Sequence, residues 1–153
     1  MSVRIVPWDA RYASDFDRLN REWLERYFTV EPLDEFYLAA PEANIIAKGG
    51  TIVFALDGDR VVGCCAAIPR DGGAFELAKL GVTAAAQGRG TGRALCEAVL
   101  AFARARGAGR VWLVSNSGLG AAVRLYERLG FQHRPFPFPR PYADADVYME
   151  WTP

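Results

Sequence analysis

Histidine, lysine and cysteine are scarce in this 153-residue chain, and each scarcity removes a class of chemistry. His133 is the single histidine, so any Ser-His-Asp or Cys-His mechanism has to recruit it. It follows Phe131 on an expected strand with no nucleophile motif beside it, and reads as a surface or strand residue. Lys48 and Lys79 are the only lysines and neither follows a glycine loop, which excludes a Walker A phosphate loop. Cys64, Cys65 and Cys96 form neither an even disulfide set nor a metal-ligand spacing, so they read as small apolar core residues and no metal site is expected. No apolar run reaches the roughly 18 residues of a membrane span. Met1-Ser2-Val3-Arg4 lacks the basic-then-apolar pattern of a secretory signal, and a cytoplasmic location is expected.

What is present suits a single domain over residues 1–153 with one core: 51% hydrophobic residues and 24% charged ones. The net charge is zero but unevenly placed. Residues 85–141 carry nine arginines against Glu97 and Glu127, whereas Asp15, Asp17, Glu22, Glu25, Glu31, Asp34 and Glu35 crowd the first half. This asymmetry suits an anionic ligand on one side and a cationic one on the other, although a solvated surface explains many of the charges equally well. No nucleic-acid reading module accompanies the basic half, so nucleic acid is not an expected partner.

The hydrophobic pattern predicts a short strand at Val3–Val6 and an amphipathic helix over Ala13–Phe28, with Phe16, Leu19, Trp23, Leu24 and Tyr27 on one stripe. A second short helix is predicted near Leu33–Ala39. Three β-rich runs, Thr51–Leu56, Arg60–Ile68 and Phe75–Val82, are separated by turn residues and form an antiparallel meander. A helix from about Gly90 to Arg106, a buried strand Val111–Ser115, a helical stripe through Leu119, Ala122, Val123, Tyr126 and Leu129, and a strand at Phe131–Arg134 follow. Four prolines between Pro135 and Pro141 enforce an extended or turned segment before a last strand with Val147, Met149 and Trp151 on one face. The strand-helix-strand unit around Val111 favours parallel pairing, so the sheet is mixed.

Gln87-Gly88-Arg89-Gly90-Thr91-Gly92 stands between a strand and a helix. Glycines let successive backbone N–H groups converge on an anion, and the helix start adds its unsatisfied N–H groups and dipole, so the stretch predicts a phosphate cradle. A dinucleotide fingerprint fails, because Arg93 occupies the third glycine position and no acidic residue lies about 20 residues on. An ordinary strand-to-helix turn is the alternative.

Glu76-Leu77-Ala78-Lys79-Leu80-Gly81-Val82, then Gln87-x-x-Gly90-x-Gly92, then Asn116 and Leu125-Tyr126-Glu127-Arg128-Leu129-Gly130-Phe131 together resemble the GNAT N-acetyltransferase superfamily over nearly the whole chain. The resemblance implies an α/β (α+β) three-layer domain. Its mixed, mostly antiparallel sheet of six to seven strands would be flanked by about four helices, with a splayed cleft for acetyl-CoA. It further implies that backbone at Leu80 and Val82 pairs with pantetheine and that N–H groups of Gln87, Gly88, Arg89, Gly90, Thr91 and Gly92 hold pyrophosphate, with Arg89 or Arg93 adding charge. Thr91 departs from the aliphatic residue usual in the family; its hydroxyl either caps the helix or bonds phosphate. Asn116 either bonds the pantetheine amide, orders water, or caps the next helix.

The implied reaction is direct acetyl transfer in a ternary complex to a primary amine of a small molecule or peptide. Holding a lysine-like amine neutral at pH 7 costs about 4.6 kcal/mol, so a base is needed. Glu76 is the candidate; the alternatives are a buried or partly buried Glu that makes an ion pair, for instance with an Arg, one that binds the acceptor without moving protons, or a water chain acting instead. Tyr126 matches the family position facing the cofactor sulfur and is the candidate acid, against plain packing in its helical stripe. Phe28, Phe36, Tyr37, Phe136, Phe138 and Tyr142 are candidate walls for the acceptor, with Glu31, Asp34 or Glu35 for its ammonium group. A noncatalytic acyl-CoA-binding or sensor protein is the competing function. A homodimer through an edge strand or the C-terminal segment is compatible with the pattern.

Overall fold

A computed structural model describes residues 2–153, leaving Met1 of the N-terminal expectation outside the described residues. The chain forms β1 (Arg4–Val6), α1 (Ala13–Tyr27), α2 (Pro32–Ala39), β2 (Thr51–Asp57), β3 (Arg60–Pro69), β4 (Phe75–Val82), α3 (Thr91–Ala105), β5 (Val111–Ser115), α4 (Gly120–Arg128), β6 (Gln132–His133) and β7 (Val147–Trp151). The strands make one seven-stranded sheet in the order β1-β2-β3-β4-β5-β7-β6. Of its neighbouring pairs, β4 and β5 alone are parallel. The helix α3 supplies the crossover between them, as a parallel connection requires. Apart from the last two strands, neighbours in sequence are neighbours in the sheet, so the meander pattern was legible.

Helices cover both faces. Phe16, Leu19 and Leu24 of α1 and Leu38 of α2 pack with Ile52, Phe54, Cys64 and Ile68 on one face. Leu95, Cys96, Val99 and Leu100 of α3, with Tyr126 of α4, pack with Val53, Cys65, Leu77 and Met149 on the other. All three cysteines are buried and unpaired, and Cys64 is pushed up to about 12 by loss of solvent, which makes it an inert thiol.

Two helix stops position the functional half. After α3, Gly107 at φ 72° lets Ala108 N–H reach Ala103 O (3.1 Å) while Gly107 N–H bonds Arg104 O (3.0 Å). After α4, Gly130 at φ 100° repeats the arrangement: Phe131 N–H donates to Tyr126 O (3.0 Å) and Gly130 N–H to Glu127 O (3.1 Å). Phe131 therefore enters the core as part of a helix cap, its ring 6.0 Å from that of Tyr126, and the strand expected at Phe131–Arg134 shrinks to Gln132–His133. A π-helical turn at Glu42–Ile46, which buries Ile45 completely, has no counterpart in the sequence expectations.

The sheet opens between β4 and β5. They pair only at Phe75–Val111 and Glu76–Trp112, and then β4 follows β3 while β5 stays registered with β7 along its whole length. A bulge in β4 accompanies the divergence: Cys64–Ala66 spans two steps on β3, but Gly81–Ala78 spans three on β4. Lys79 within it has φ 57°, the one non-glycine residue with positive φ among the described residues. The extra residue reverses the inside-outside alternation. Leu77 faces the α3 side and Ala78 the α1 side, yet Leu80 and Val82 face the α3 side again.

Candidate active site

The loop after β4 is folded back by Gln87, whose Nε2 donates to Val82 O at 2.9 Å. Gly88 (φ 73°) and Gly90 (φ 80°) are left-handed, and an added Cβ would meet nothing within 4 Å at either, so glycine is favoured there by backbone conformation rather than by crowding. Gly90 caps α3, and the first bond onto the helix runs from Ala94 N–H to Gly90 O at 3.0 Å. The N–H groups of Thr91, Gly92 and Arg93 are left without helical partners. Gln87, Gly88, Gly90, Gly92 and Arg93 line a cavity of about 860 Å³, so orphan donors and a helix dipole converge on an anion seat.

Two side chains of this loop turn away from the cavity. Arg89 is exposed and does not line the cavity; Arg93 does, with Nε 3.4 Å from Glu97. The Thr91 hydroxyl neither caps the helix nor faces the cavity: it is buried without a partner, and the side chain turns toward Gly63, where an added Cβ would sit 3.5 Å from its methyl. Threonine stands here as a small core residue, and only its backbone N–H belongs to the cradle.

Leu80 and Val82 line the cavity along the open edge of β4. Thr83 N–H bonds Val62 O on β3 (2.9 Å), so strand alternation turns the backbone of Val82 and Leu80 toward the side that β5 has left. Asn116, at the end of β5, also lines the cavity, but its amide is engaged: Nδ2 donates to Asp144 O at 2.5 Å and Oδ1 accepts from Gly118 N–H at 2.7 Å. It ties the turn before α4 to the segment before β7 and leaves the N-cap of α4 to Leu119. Asp146 reinforces the same junction, accepting from Ser117 N–H (2.8 Å) and Oγ (2.7 Å), bonds that hold its carboxyl below the usual range.

Tyr126 both packs and lines the cavity. Its phenol is pushed well above its ordinary value, first by burial and then by the neighbouring Cys96 and Cys65 thiols. It therefore stays protonated across neutral pH and presents an O–H donor.

The far end of the cavity lies on the α1–α2 side, where Trp23, Tyr27, Phe28, Glu31, Asp34, Glu76, Lys79 and Tyr142 are gathered. Glu76 sits at the last β4–β5 pair, buried, with Oε1 accepting from Arg70 Nε (3.0 Å) and Nη2 (2.5 Å). Burial raises its carboxyl above the ordinary value, with Arg70 and then Lys79 pulling the other way. Arg70 is held in turn by Tyr37 Oη at 3.0 Å and lies over the Trp112 ring at 5.6 Å. The Arg-paired alternative for Glu76 is thus the observed contact, and it leaves Oε2 without a protein donor among the described residues.

Several expected acceptor contacts are corrected. Glu35 points away and takes both arms of Arg21 (2.8 and 2.7 Å). Phe136 and Phe138 do not wall the cavity; they cover Trp112 and Tyr148 and anchor the proline-rich segment to the sheet. Phe36 is half exposed on α2. Asp34 is already occupied, since Lys79 Nζ donates to its Oδ1 while its Oδ2 accepts from Glu31 N–H at 2.9 Å within the α2 capping box. The Lys79 role was missed, although a signal existed: apolar positions 75, 77, 80 and 82 break the period of two at residue 79.

The split sheet thus opens onto one cavity lined both by the glycine cradle and by a buried carboxylate. Residues 16–131 match the acetyltransferase (GNAT) family, and the chain belongs to that family. Part of the chain is similar to a mycothiol acetyltransferase of Streptosporangium roseum, 48% identical over 56 residues, which cover 37% of this chain and 17% of that protein's length. The fold is similar to a GNAT acetyltransferase of Staphylococcus aureus Mu50 (TM-score 0.87, 17% identity, 99% of each chain covered). It is also similar to a phosphinothricin acetyltransferase of Sinorhizobium meliloti solved in complex with acetyl-CoA (TM-score 0.80, 19% identity, 99% of this chain and 89% of that one covered). Among the described residues no helix is long and apolar enough to cross a membrane, and no group of three or more His, Cys, Asp or Glu side chains is placed to hold a metal ion.

Proposed function

We propose that residues 1–153 act as a single acetyl-CoA-dependent N-acetyltransferase domain that transfers acetyl directly to a primary amine of a small molecule or peptide. The observation that carries this reading is the continuity of one cavity from the Gln87–Arg93 cradle, past Tyr126, to Glu76. Acetyl-CoA supplies the acetyl thioester. The N–H groups of Thr91, Gly92 and Arg93 hold its pyrophosphate, Arg93 adds charge, and the backbone of Leu80 and Val82 takes the pantetheine amides, Val82 O with the lone pair that Gln87 leaves.

Glu76, directly or through a water molecule, takes a proton from the acceptor amine; its raised basicity suits that task better than an ordinary surface carboxylate would. Tyr126 gives its proton to the departing sulfur. The carbonyl carbon gains a bond to nitrogen and loses its bond to sulfur, and no acetyl group passes through a protein side chain, because the three cysteines are buried. Trp23, Tyr27 and Phe28 receive the acceptor's apolar part.

Thiol release from acetyl-CoA in the presence of a panel of primary amines tests the reading. Amine-dependent release with at least one member is expected, and Tyr126→Phe should lower kcat by about 10- to 100-fold with little change in KM for acetyl-CoA. Equal kcat for Tyr126→Phe would remove the acid role and leave Tyr126 as a packing residue.

A further inference from the structure

The acceptor end contains a cation seat that the chain fills itself. Three groups converge on Lys79 Nζ: the Asp34 carboxylate, whose Oδ1 accepts from it, the Tyr142 hydroxyl at 3.3 Å, and the Tyr142 ring, whose centroid lies 5.0 Å away. A carboxylate, a hydroxyl and an aromatic face are what an alkylammonium ligand requires. The seat is built rather than incidental. Asp34 is fixed through its second oxygen by Glu31 N–H (2.9 Å), and the segment carrying Tyr142 is pinned where Ala143 N–H donates to Glu31 Oε2 (3.1 Å). The Lys79 and Asp34 side chains are 8% and 4% exposed, and both residues line the cavity that receives the acceptor.

The backbone is bent to bring the lysine there. Lys79 takes a left-handed φ of 57°, a conformation that costs a non-glycine residue about 1 kcal/mol or more, and the bulge adds its side chain to the same face of β4 as Glu76 and Ala78. With the opening of the sheet alone in view, a glycine or asparagine would serve at that position. A lysine aimed at the α2 carboxylate does something further: it neutralises Asp34 and fills the space in front of Tyr142.

We propose that Lys79 is a specificity-determining residue, an internal ammonium that occupies the cation seat of the acceptor site and so restricts the enzyme to amines with a neutral tail, excluding diamines. The proposal rests on the amine-acetylating reading given above. Removing the lysine opens the seat to the distal ammonium of a diamine, whereas removing its charge but keeping its bulk does not.

The test compares kcat/KM for a monoamine and for the diamine of the same chain length, n-butylamine and 1,4-diaminobutane, in the wild type, Lys79→Ala, Lys79→Met and Lys79→Ala/Asp34→Asn. The wild type is expected to prefer the monoamine by about tenfold or more. Lys79→Ala should shift the diamine-to-monoamine ratio upward by about tenfold or more, roughly 1.4 kcal/mol of discrimination, and the other two variants should not. An unchanged ratio in Lys79→Ala, or a gain that survives Asp34→Asn, overturns the proposal. A wild type that shows no preference, or that prefers the diamine, overturns it without any variant, should Lys79→Ala not fold.

A second readout needs no turnover: thermal melts of Lys79→Ala in ethylammonium chloride against sodium chloride at equal ionic strength. An ethylammonium-specific rise, absent from Lys79→Ala/Asp34→Asn, is expected; its absence overturns the seat. If the wild type acetylates no amine of the panel, the transferase reading fails, while the melts still decide whether the seat exists.

Discussion

Glu76→Gln is expected to lower kcat/KM for the acceptor amine by about 100- to 10,000-fold and to abolish the acidic limb of the pH profile. The sign follows from the environment. Burial raises the Glu76 carboxyl above its ordinary value, so the base is protonated and silent on the acid side and becomes active as pH rises through that raised value. The limb should therefore lie at higher pH than an exposed glutamate would give. Glutamine keeps the shape and can still accept from Arg70 through its amide oxygen, so the loss measures proton transfer rather than packing. Binding of acetyl-CoA should be unaffected, because the cradle lies at the other end of the cavity. Profiles of kcat/KM against pH for both proteins check this. A Glu76→Gln enzyme within threefold of the wild type, with its acidic limb intact, would assign the base role to ordered water and leave Glu76 as the partner of Arg70.

Asp34→Ala should produce the largest loss of stability among single changes at the site, about 3–5 kcal/mol. Asp34 is the one carboxylate in hydrogen-bond contact with Lys79 among the described residues; without it the lysine, 8% exposed in the native protein, keeps the Tyr142 hydroxyl at 3.3 Å and ring at 5.0 Å, and Glu76 acts on it only at longer range. The α2 cap would also lose its reciprocal bond to Glu31 N–H. For a domain of this size the melting temperature should fall by about 6–20 °C. Adding Lys79→Met should recover much of the loss, because the buried charge is then gone and its methylenes are replaced in kind. Melting curves of the two singles and the double supply the coupling. A loss under 1 kcal/mol for Asp34→Ala would mean that water reaches Lys79 and that the pair behaves like a surface ion pair.

Much of this site was legible in the sequence where the cause is local. The glycines between a strand and a helix stood out, and Gly88 and Gly90 are left-handed; Phe131, read as the start of a strand, instead closes the cap after α4 with its ring beside Tyr126. The alternation of β7 and the stripe of α1 gave the two faces of the sheet. What was not legible depends on distance along the chain. Asp34 and Lys79 are 45 residues apart, and Lys79 and Tyr142 are 63 apart, so no window of sequence pairs them. For the same reason Asp34 and Glu35 read alike as acceptor carboxylates, although one is buried under Lys79 and the other lies outside with Arg21. Thr91 misled because a hydroxyl at a helix start normally caps it; here the left-handed Gly90 takes the cap position and turns the hydroxyl inward. Phe136 and Phe138 misled through composition, since an aromatic loop beside a site can serve either the ligand or the sheet, and Trp112 and Tyr148 draw these two onto the sheet.

The identity of the ligand in the cradle underlies every role assigned to a side chain. A thermal melt with and without acetyl-CoA, with CoA and ATP as comparisons, tests it most directly. At about 100 times Kd, a ligand bound only by the native state adds roughly 2.7 kcal/mol, which in this domain should raise the melting temperature by about 5–10 °C. A rise of that size with acetyl-CoA and with CoA, but not with ATP, is the expected result. No rise with acetyl-CoA at millimolar concentration would contradict the assignment of the cavity between β4 and β5 as its binding site.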